Sequence, residues 1–217
     1  MRFYPHIADL PVTLPVFPLT GALLLPRGVL PVNVFEPRYL ALVDAAMSGA
    51  RLIGMIQPTI HEDKALKPPL SAVGCAGRIT SYQENDDGRY VIALTGICRF
   101  KVAEELDIET PYRQVRPDYT PFAGDLAEGT IARDFPRERL AMALKAYLSH
   151  RELKADWQSV MGAPAESLVN ALAMLCPFEP AEKQALLEAP TEADLAGDLL
   201  ALLHMAVHEA DGPSRPS

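Results

Sequence analysis

The sequence predicts an α+β fold, with strands in residues 1–120 and helices in residues 134–210. In the first part, short apolar runs are rich in β-branched residues and are interrupted by prolines and glycines, which is typical of strands joined by turns. In the second part, apolar residues recur at spacings of three and four, as in packed helices. We therefore expect a β domain at 1–120, a linker at 121–133, a helical bundle at 134–210 and a disordered tail at 211–217.

The first two strands are predicted at 14–19 and 29–35. The run LPVFPL contains two prolines, which lack the amide hydrogen that a central strand donates, so we predict an edge strand there. The run VLPVNVF alternates and is rich in β-branched residues, which indicates a strand with one buried face.

A helix is predicted directly after the second strand. Its apolar residues fall on one stripe at three- and four-residue spacing: Tyr39, Leu40, Val43, Ala46 and Met47. Pro37 suits the first helical position, where a missing amide hydrogen costs nothing, and Gly49 suits the end. The apolar run 51–57 then predicts a third strand.

The remaining strands are predicted at 72–83, 89–104 and 111–119. The turn ENDDG separates the first two of these, because Asp-Gly tolerates the positive φ of a tight hairpin. Gly96 marks a bend in the long strand 89–104. Pattern alone therefore predicts five or six strands.

Four helices are predicted in the second half of the chain. They cover 135–153, 164–176, 179–188 and about 191–208. Thr191 and Asp194 have the spacing of a capping box that opens the last of them.

Several of these blocks together resemble a known family. LPVFPL, LLLPRGVLPVNVFEPRYLALVDAAM, RLIGMIQP, VGCAGRI and GRYVIALTGICRF occur in the order seen in the Lon substrate-binding (N-terminal) domain family, and they cover roughly the first half of the chain. The resemblance implies a PUA-like six-stranded β pseudobarrel with one inserted helix, followed by a C-terminal helical bundle. It also implies a non-enzymatic module that binds exposed apolar segments of other proteins, as a protease or chaperone adaptor. The alternative is a PUA-like barrel that binds RNA or a small ligand.

Charge and composition argue against several other classes. The net charge is −8, of which −1 falls in residues 1–120 and −7 in 121–217, and no basic stripe indicates a nucleic-acid partner. No apolar run is long enough to span a membrane, since Asp198 interrupts the longest one, and the N-terminus has no apolar signal core. Three cysteines without a C-x-x-C pair favour buried thiols and a cytoplasmic location.

The sequence offers no catalytic residues, metal ligands or cofactor motif. ATP-dependent Lon enzymes carry an ATPase module and a Ser-Lys protease module after this kind of domain, but a Gly-Lys-Ser/Thr phosphate loop is missing here. The Gly-Pro-Ser-Arg tail cannot hold a serine beside a base. His204 and His208 lie four apart on a helix, yet Met205 stands where a zinc-protease helix has Glu, and no third ligand is in view. We therefore expect the binding domain without its enzymatic modules.

A docking surface is predicted around the first two strands. Large apolar residues near 17–25, including Leu23 and Leu25, outnumber what one β edge can bury, so we expect an exposed apolar patch. The candidate peptide contacts are Phe17, Leu19, Leu24, Pro31, Phe35 and Tyr39. A second set is expected to hold the structure, with contact to the ligand as the alternative role: Glu36, Arg38, Gly96, Arg99 and Phe100. A homodimer through the edge strand or the acidic helical half stays open.

Overall fold

The computed structural model describes residues 4–59, 67–127, 137–151 and 156–211. Within them the strands are β1 Leu14–Pro18, β2 Val29–Val34, β3 Leu52–Pro58, β4 Leu70–Glu84, β5 Tyr90–Glu105 and β6 Arg113–Asp118. Helix α1, Pro37–Ser48, is inserted between β2 and β3. The C-terminal helices are α2 Arg137–His150, α3 Trp157–Gly162, α4 Ala165–Leu175, α5 Pro180–Glu188 and α6 Glu192–Asp211.

The six strands form one sheet that closes on itself. Their order is β2-β5-β4-β3-β1-β6, and an additional β5–β6 pairing completes the barrel. Strand β5 makes this closure possible because its first half pairs with β2 and its last residues pair with β6. All pairings are antiparallel except that of β1 with β3. The predicted α+β fold with a six-stranded pseudobarrel and one inserted helix is confirmed.

The edge position predicted for β1 is wrong, because β1 pairs with β3 on one side and β6 on the other. The two prolines are nevertheless accommodated. Pro15 lies in the half that pairs with β6 alone, and Pro18 lies in the half that pairs with β3 alone. Each proline therefore has one side without a ladder partner, where a missing amide hydrogen costs little.

Helix α1 begins and ends as predicted. Pro37 is its first residue and Gly49 is its C-cap. The side chains of Tyr39, Val43 and Ala46 are buried, as the helical spacing indicates. This helix covers one side of the barrel beside β1 and β3.

The C-terminal helices pack on one another and on the barrel. Helix α6 contacts α2, α4 and α5, and α5 also contacts β4. The polar contacts between the two parts include Asn170 Nδ2 donating to Pro26 O at 2.9 Å, Lys183 Nζ donating to Gly21 O at 2.9 Å, and Gln57 Nε2 donating to Pro180 O at 3.0 Å. Buried apolar residues of both parts belong to one core.

Three differences from the predicted organisation concern the second half. A short helix, α3, adds to the four predicted, since six residues are too few to show a helical period. The predicted linker 121–133 begins with a packed 3-10 segment, Thr120–Leu126, in which Phe122 and Asp125 are buried. Helix α6 includes Asp211, the first residue of the predicted tail. Residues 128–133 and 212–217 lie outside the described part of the chain.

Candidate functional site

Phe17 and Leu24, two of the predicted contact residues, lie inside the barrel. They are 3% and 1% exposed, which corrects the exposure expected for them. The Phe17 ring stacks on Tyr39 with a centroid distance of 4.0 Å. Leu24 packs so closely over Gly77 that a Cβ there would lie 2.6 Å from Leu24 Cδ2. The physical reason is barrel closure, which gives these side chains, with Leu23 and Leu25, an interior that a single sheet edge lacks.

Leu19, Pro31 and Phe35 are exposed, and two of them belong to one surface. Alternate residues of β2 and its continuation point outward and form what we term the β2 surface, namely Val29, Pro31, Asn33 and Phe35. Phe35 is 63% exposed and Val29 is 58% exposed. Val29 is absent from the predicted contact set, although its alternation with Pro31 would have placed it on the same face.

The backbone at the open edge of β2 is poorly suited to pairing with an added strand, whereas the outward side chains are suited to an apolar ligand. Among the described residues β2 pairs with β5 alone, and the ladder continues through Pro31, which lies opposite Ala93. Because proline has no amide hydrogen, an unbroken ladder requires that its nitrogen face away from β5. The open edge of β2 therefore lacks one donor at its centre, which weakens edge-to-edge pairing.

A cleft of about 210 Å³ opens beside Tyr39, at the corner where β1 ends and α1 begins. Tyr39 is buried except where it lines this cleft, and its hydroxyl donates to Pro18 O at 3.2 Å. Burial raises the pKa of Tyr39 and the neighbouring Arg38 opposes that rise, so the phenol is neutral at physiological pH. The cleft is lined by Pro18, Arg38, Tyr39, Lys67, Glu105, Leu106, Ile108, Thr110, Pro111, Tyr112 and Arg113.

Charged groups ring this cleft in a defined arrangement. Arg113 donates to both carboxylate oxygens of Glu105, at 2.9 and 2.6 Å, and Lys67 Nζ lies 3.1 Å from the same carboxylate. The bonds with Arg113, followed by that with Lys67, lower the pKa of Glu105 despite its partial burial. Arg38 bonds to Glu36 at 2.9 Å and lies 4.5 Å above the Tyr39 ring.

The other residues expected to be structural are buried. Arg99 forms an ion pair with Asp125 at 2.8 Å, and Phe100 packs edge-on against Tyr119. Gly96 lies against the backbone of Leu25, where a Cβ would meet the carbonyl oxygen at 2.0 Å. These side chains are placed inside the protein and away from a ligand, whereas Glu36 and Arg38 are at the surface.

The described residues contain no group of three His, Cys, Asp or Glu side chains that could hold a metal ion. His204 is exposed, and the side chain of His208 lies outside the described part. The three cysteines are free and buried. Burial raises the pKa of Cys98 to about 12 and that of Cys176 to about 11, so both stay protonated at neutral pH. No helix in the described ranges is both long and apolar enough to cross a membrane.

The barrel, the inserted helix and the C-terminal helices together match a known family. The family model of the ATP-dependent protease La (LON) substrate-binding domain covers residues 13–204. The chain belongs to the Lon substrate-binding domain family. The family extends over the helical half as well, where the sequence alone showed no diagnostic motif.

Lon proteases and their N-terminal domains are among the similar proteins. The chain is 35% identical over 94 residues to the Lon protease of Desulfosudis oleivorans, and 29% identical over 138 residues to that of Anaeromyxobacter dehalogenans. These alignments cover 42% and 63% of the chain but only 12% and 16% of the proteases. These relatives are therefore much longer than the region that they share with this chain.

Two solved structures share the fold over most of both chains. A Lon N-terminal domain protein from Xanthomonas campestris superposes with a TM-score of 0.61 at 23% identity, covering 87% of this chain and 97% of that one. The N-terminal domain of Mycobacterium avium complex Lon protease gives 0.62 at 18% identity, covering 88% and 98%.

Proposed function

We propose that this Lon substrate-binding domain is a non-enzymatic module that binds exposed apolar segments of other proteins. The observation that carries the proposal is Phe35, an aromatic side chain that is 63% exposed directly after β2, a strand with one described partner. Val29 and Pro31 extend the same outward face, and Leu19 adds an exposed leucine after β1. Apolar surface of this kind on a soluble domain is typical of a protein-binding site.

Side-chain burial, rather than strand addition, is the mode that β2 favours. Pro31 removes an amide donor from the open edge, so an added strand would form an incomplete ladder. Apolar burial has no directional requirement and depends on area alone, at about 25 cal/mol per Å². Such a surface can accept many different sequences, which suits recognition of unfolded polypeptides. This proposal keeps four of the predicted contact residues. They are Leu19, Pro31, Phe35 and the small exposed part of Tyr39.

The role that fits this surface is that of an adaptor, which presents a bound polypeptide to a protease or chaperone. The chain's net charge of −8 makes RNA a poor alternative partner, because phosphate binding requires clustered cations. Three buried free thiols fit a reducing, cytoplasmic setting. A second copy of the chain is the rival occupant of the apolar surface.

A binding assay with a permanently unfolded polypeptide tests this function. Fluorescence anisotropy of labelled, reduced and carboxymethylated casein would report Kd for the wild type, for Phe35→Ser and for Met142→Ser. Met142, 73% exposed on α2, is the matched control because it is apolar and lies in the helical half. We expect Phe35→Ser to weaken binding by about 10- to 150-fold, since a buried Phe contributes about 1.5–3 kcal/mol, and Met142→Ser to bind like the wild type.

Two outcomes would overturn the proposal. One is equal affinity of Phe35→Ser and wild type for the unfolded probe. The other is a wild-type chain that ignores the probe but dimerises in light scattering through a contact that Phe35→Ser abolishes. A gel shift in which the protein binds labelled RNA in the absence of any polypeptide ligand would favour the alternative function.

A further inference from the structure

The cleft beside Tyr39 differs from the β2 surface in its charge. Its lining contains three cations, Arg38, Lys67 and Arg113, and one carboxylate, Glu105. The chain as a whole carries a net charge of −8, so a lining with two excess positive charges runs against the general composition. Charge of this sign, placed at the lip of an apolar cleft, favours an anionic ligand with an apolar neighbour group.

The two kinds of surface in the cleft have separate origins. Its apolar wall comes from Pro18 and Tyr39 at the β1–α1 corner, and from Ile108, Pro111 and Tyr112 in the β5–β6 connection. Ile108 is exposed and Tyr112 is half-buried. An apolar side chain could therefore bury area between these two segments without displacing any residue of the core.

The cations are not equivalent, because Arg113 is already committed to the fold. Its Nε and Nη2 bond to Glu105, and its Nη1 donates to Pro68 O at 2.6 Å. Lys67 is 59% exposed and makes a single 3.1 Å contact with the carboxylate that Arg113 already holds. An ammonium group has three donors, so Lys67 retains capacity for a further acceptor.

Arg38 is the second cation able to meet a ligand. Its side chain is 46% exposed, and its ion pair with Glu36 uses Nε and Nη2 on one side of the guanidinium. A guanidinium carries five donors in a planar fork, so the ion pair with Glu36 leaves donors on its other edge for a ligand. Arg38 and Lys67 lie in the lining of the same cleft although 29 positions apart in the sequence.

We propose that this cleft binds a carboxylate beside an apolar side chain in the polypeptide ligand, with Lys67 and Arg38 holding the carboxylate and the Tyr39–Tyr112 walls holding the side chain. The inference rests on the proposed polypeptide-binding function and adds a preference for acidic-apolar segments. Exposed ion pairs are weak and screened by salt over ~8 Å at physiological ionic strength. The cleft therefore contributes selectivity that depends on salt, whereas the β2 surface contributes affinity that does not.

Four labelled peptides with one apolar core test the proposal by anisotropy at low and high salt. The first has Asp next to a central Leu-Phe pair and an amidated C-terminus, and the second replaces that Asp with Asn. The third ends in a free carboxylate directly after the Leu-Phe pair, and the fourth is its amide. We expect at least one carboxylate peptide to bind about fivefold more tightly than its neutral partner at low salt, with the difference lost at high salt. The peptide pair that shows this difference in affinity identifies the bound carboxylate as that of an internal acidic residue or that of a C-terminus.

Charge reversal then assigns the effect to the cleft. Lys67→Glu should abolish the preference for the carboxylate peptide and leave the neutral peptides unchanged, and Arg38→Glu should act in the same direction. Lys145→Glu on α2 is the matched control, since Lys145 is an exposed lysine of the helical half. Arg38 lies in the first turn of α1, so Arg38→Glu can disturb folding. Lys67 lies outside any helix or strand, so the Lys67→Glu variant keeps the test valid if Arg38→Glu fails to fold.

The proposal is overturned if the wild type binds acidic and neutral peptides equally at low salt, or if Lys145→Glu removes the preference as fully as Lys67→Glu does. Either result leaves the polypeptide-binding function intact, because that function is judged by the effect of Phe35→Ser on the binding of unfolded casein. Loss of the Phe35→Ser effect with a preserved carboxylate preference would instead retain the cleft and reject the β2 surface.

Discussion

Arg99 of β5 and Asp125 of the 3-10 segment form a buried ion pair. Arg99 donates from Nε to Asp125 Oδ2 at 2.9 Å and from Nη2 to Oδ1 at 2.8 Å. Its Nη1 donates to the carbonyls of Ala189 and Leu187, where α5 ends. Burial alone would lower the pKa of Arg99, but the bonds with Asp125 outweigh it and raise the pKa. One guanidinium thus holds β5, the 3-10 segment and the end of α5 together.

Asp125→Asn is expected to destabilise the protein by about 3–5 kcal/mol, because it leaves the Arg99 charge buried without a counter-charge. Urea denaturation at pH 7 measures the loss. Glu104→Gln is the control, since its ion pair with Arg116 is exposed and is worth less than about 1 kcal/mol. Losses of similar size in the two variants would show that Asp125 has no special weight.

Gly96→Ala should also destabilise the fold, by about 1–3 kcal/mol, since its Cβ would meet the Leu25 carbonyl oxygen at 2.0 Å and backbone must move. Gly197→Ala, in α6, is the matched substitution at an open position. There, alanine is expected to stabilise by about 0.5–1 kcal/mol. Thermal unfolding of both variants gives the comparison, and a neutral Gly96→Ala would mean that the β5 bend tolerates a side chain.

The Glu105→Gln substitution is expected to lower the stability of the folded state by an amount that depends on pH. The bonds with Arg113 and Lys67 lower the pKa of Glu105 in the folded state, so its contribution is present above the ordinary glutamate pKa of about 4.3. It is lost as the pH falls through the lowered folded-state pKa. The wild type should therefore be more stable than Glu105→Gln at pH 7, and the two should converge in acid. Denaturation curves between pH 7 and pH 2 would contradict this if the gap stayed constant.

Phe17→Ala and Phe35→Ala should differ sharply in stability although the residues lie 18 positions apart in one predicted docking stretch. Phe17 is buried and stacked on Tyr39, so its truncation is expected to cost about 3–5 kcal/mol. Phe35 is exposed, and its truncation should change stability by no more than about 0.5 kcal/mol. Equal losses in denaturant titrations would mean that Phe35 is covered in solution.

Local signals in the sequence predicted much of this architecture. Proline at the first position of α1, Gly49 at its end and the hairpin turn before β5 each depend on the backbone preferences of one or two residues. The resemblance to the Lon family supplied the barrel and the inserted helix. The alternation that runs through β2 and on to Phe35 contains enough information to place Pro31 and Phe35 on one outward side, because the side-chain period of an extended chain is two.

The sequence by itself thus determined the order of strands and helices, the family and the outward face of β2. The tertiary structure alone decided that β1 is paired on both sides, that Phe17 and Leu24 are interior, and that Arg38 and Lys67 share a cleft. The physical reason is that these properties depend on which distant segment covers a residue. Strand β6, almost a hundred residues after β1, pairs with β1 and closes the barrel. The spacing of apolar residues within 14–19 contains no information about this distant partner.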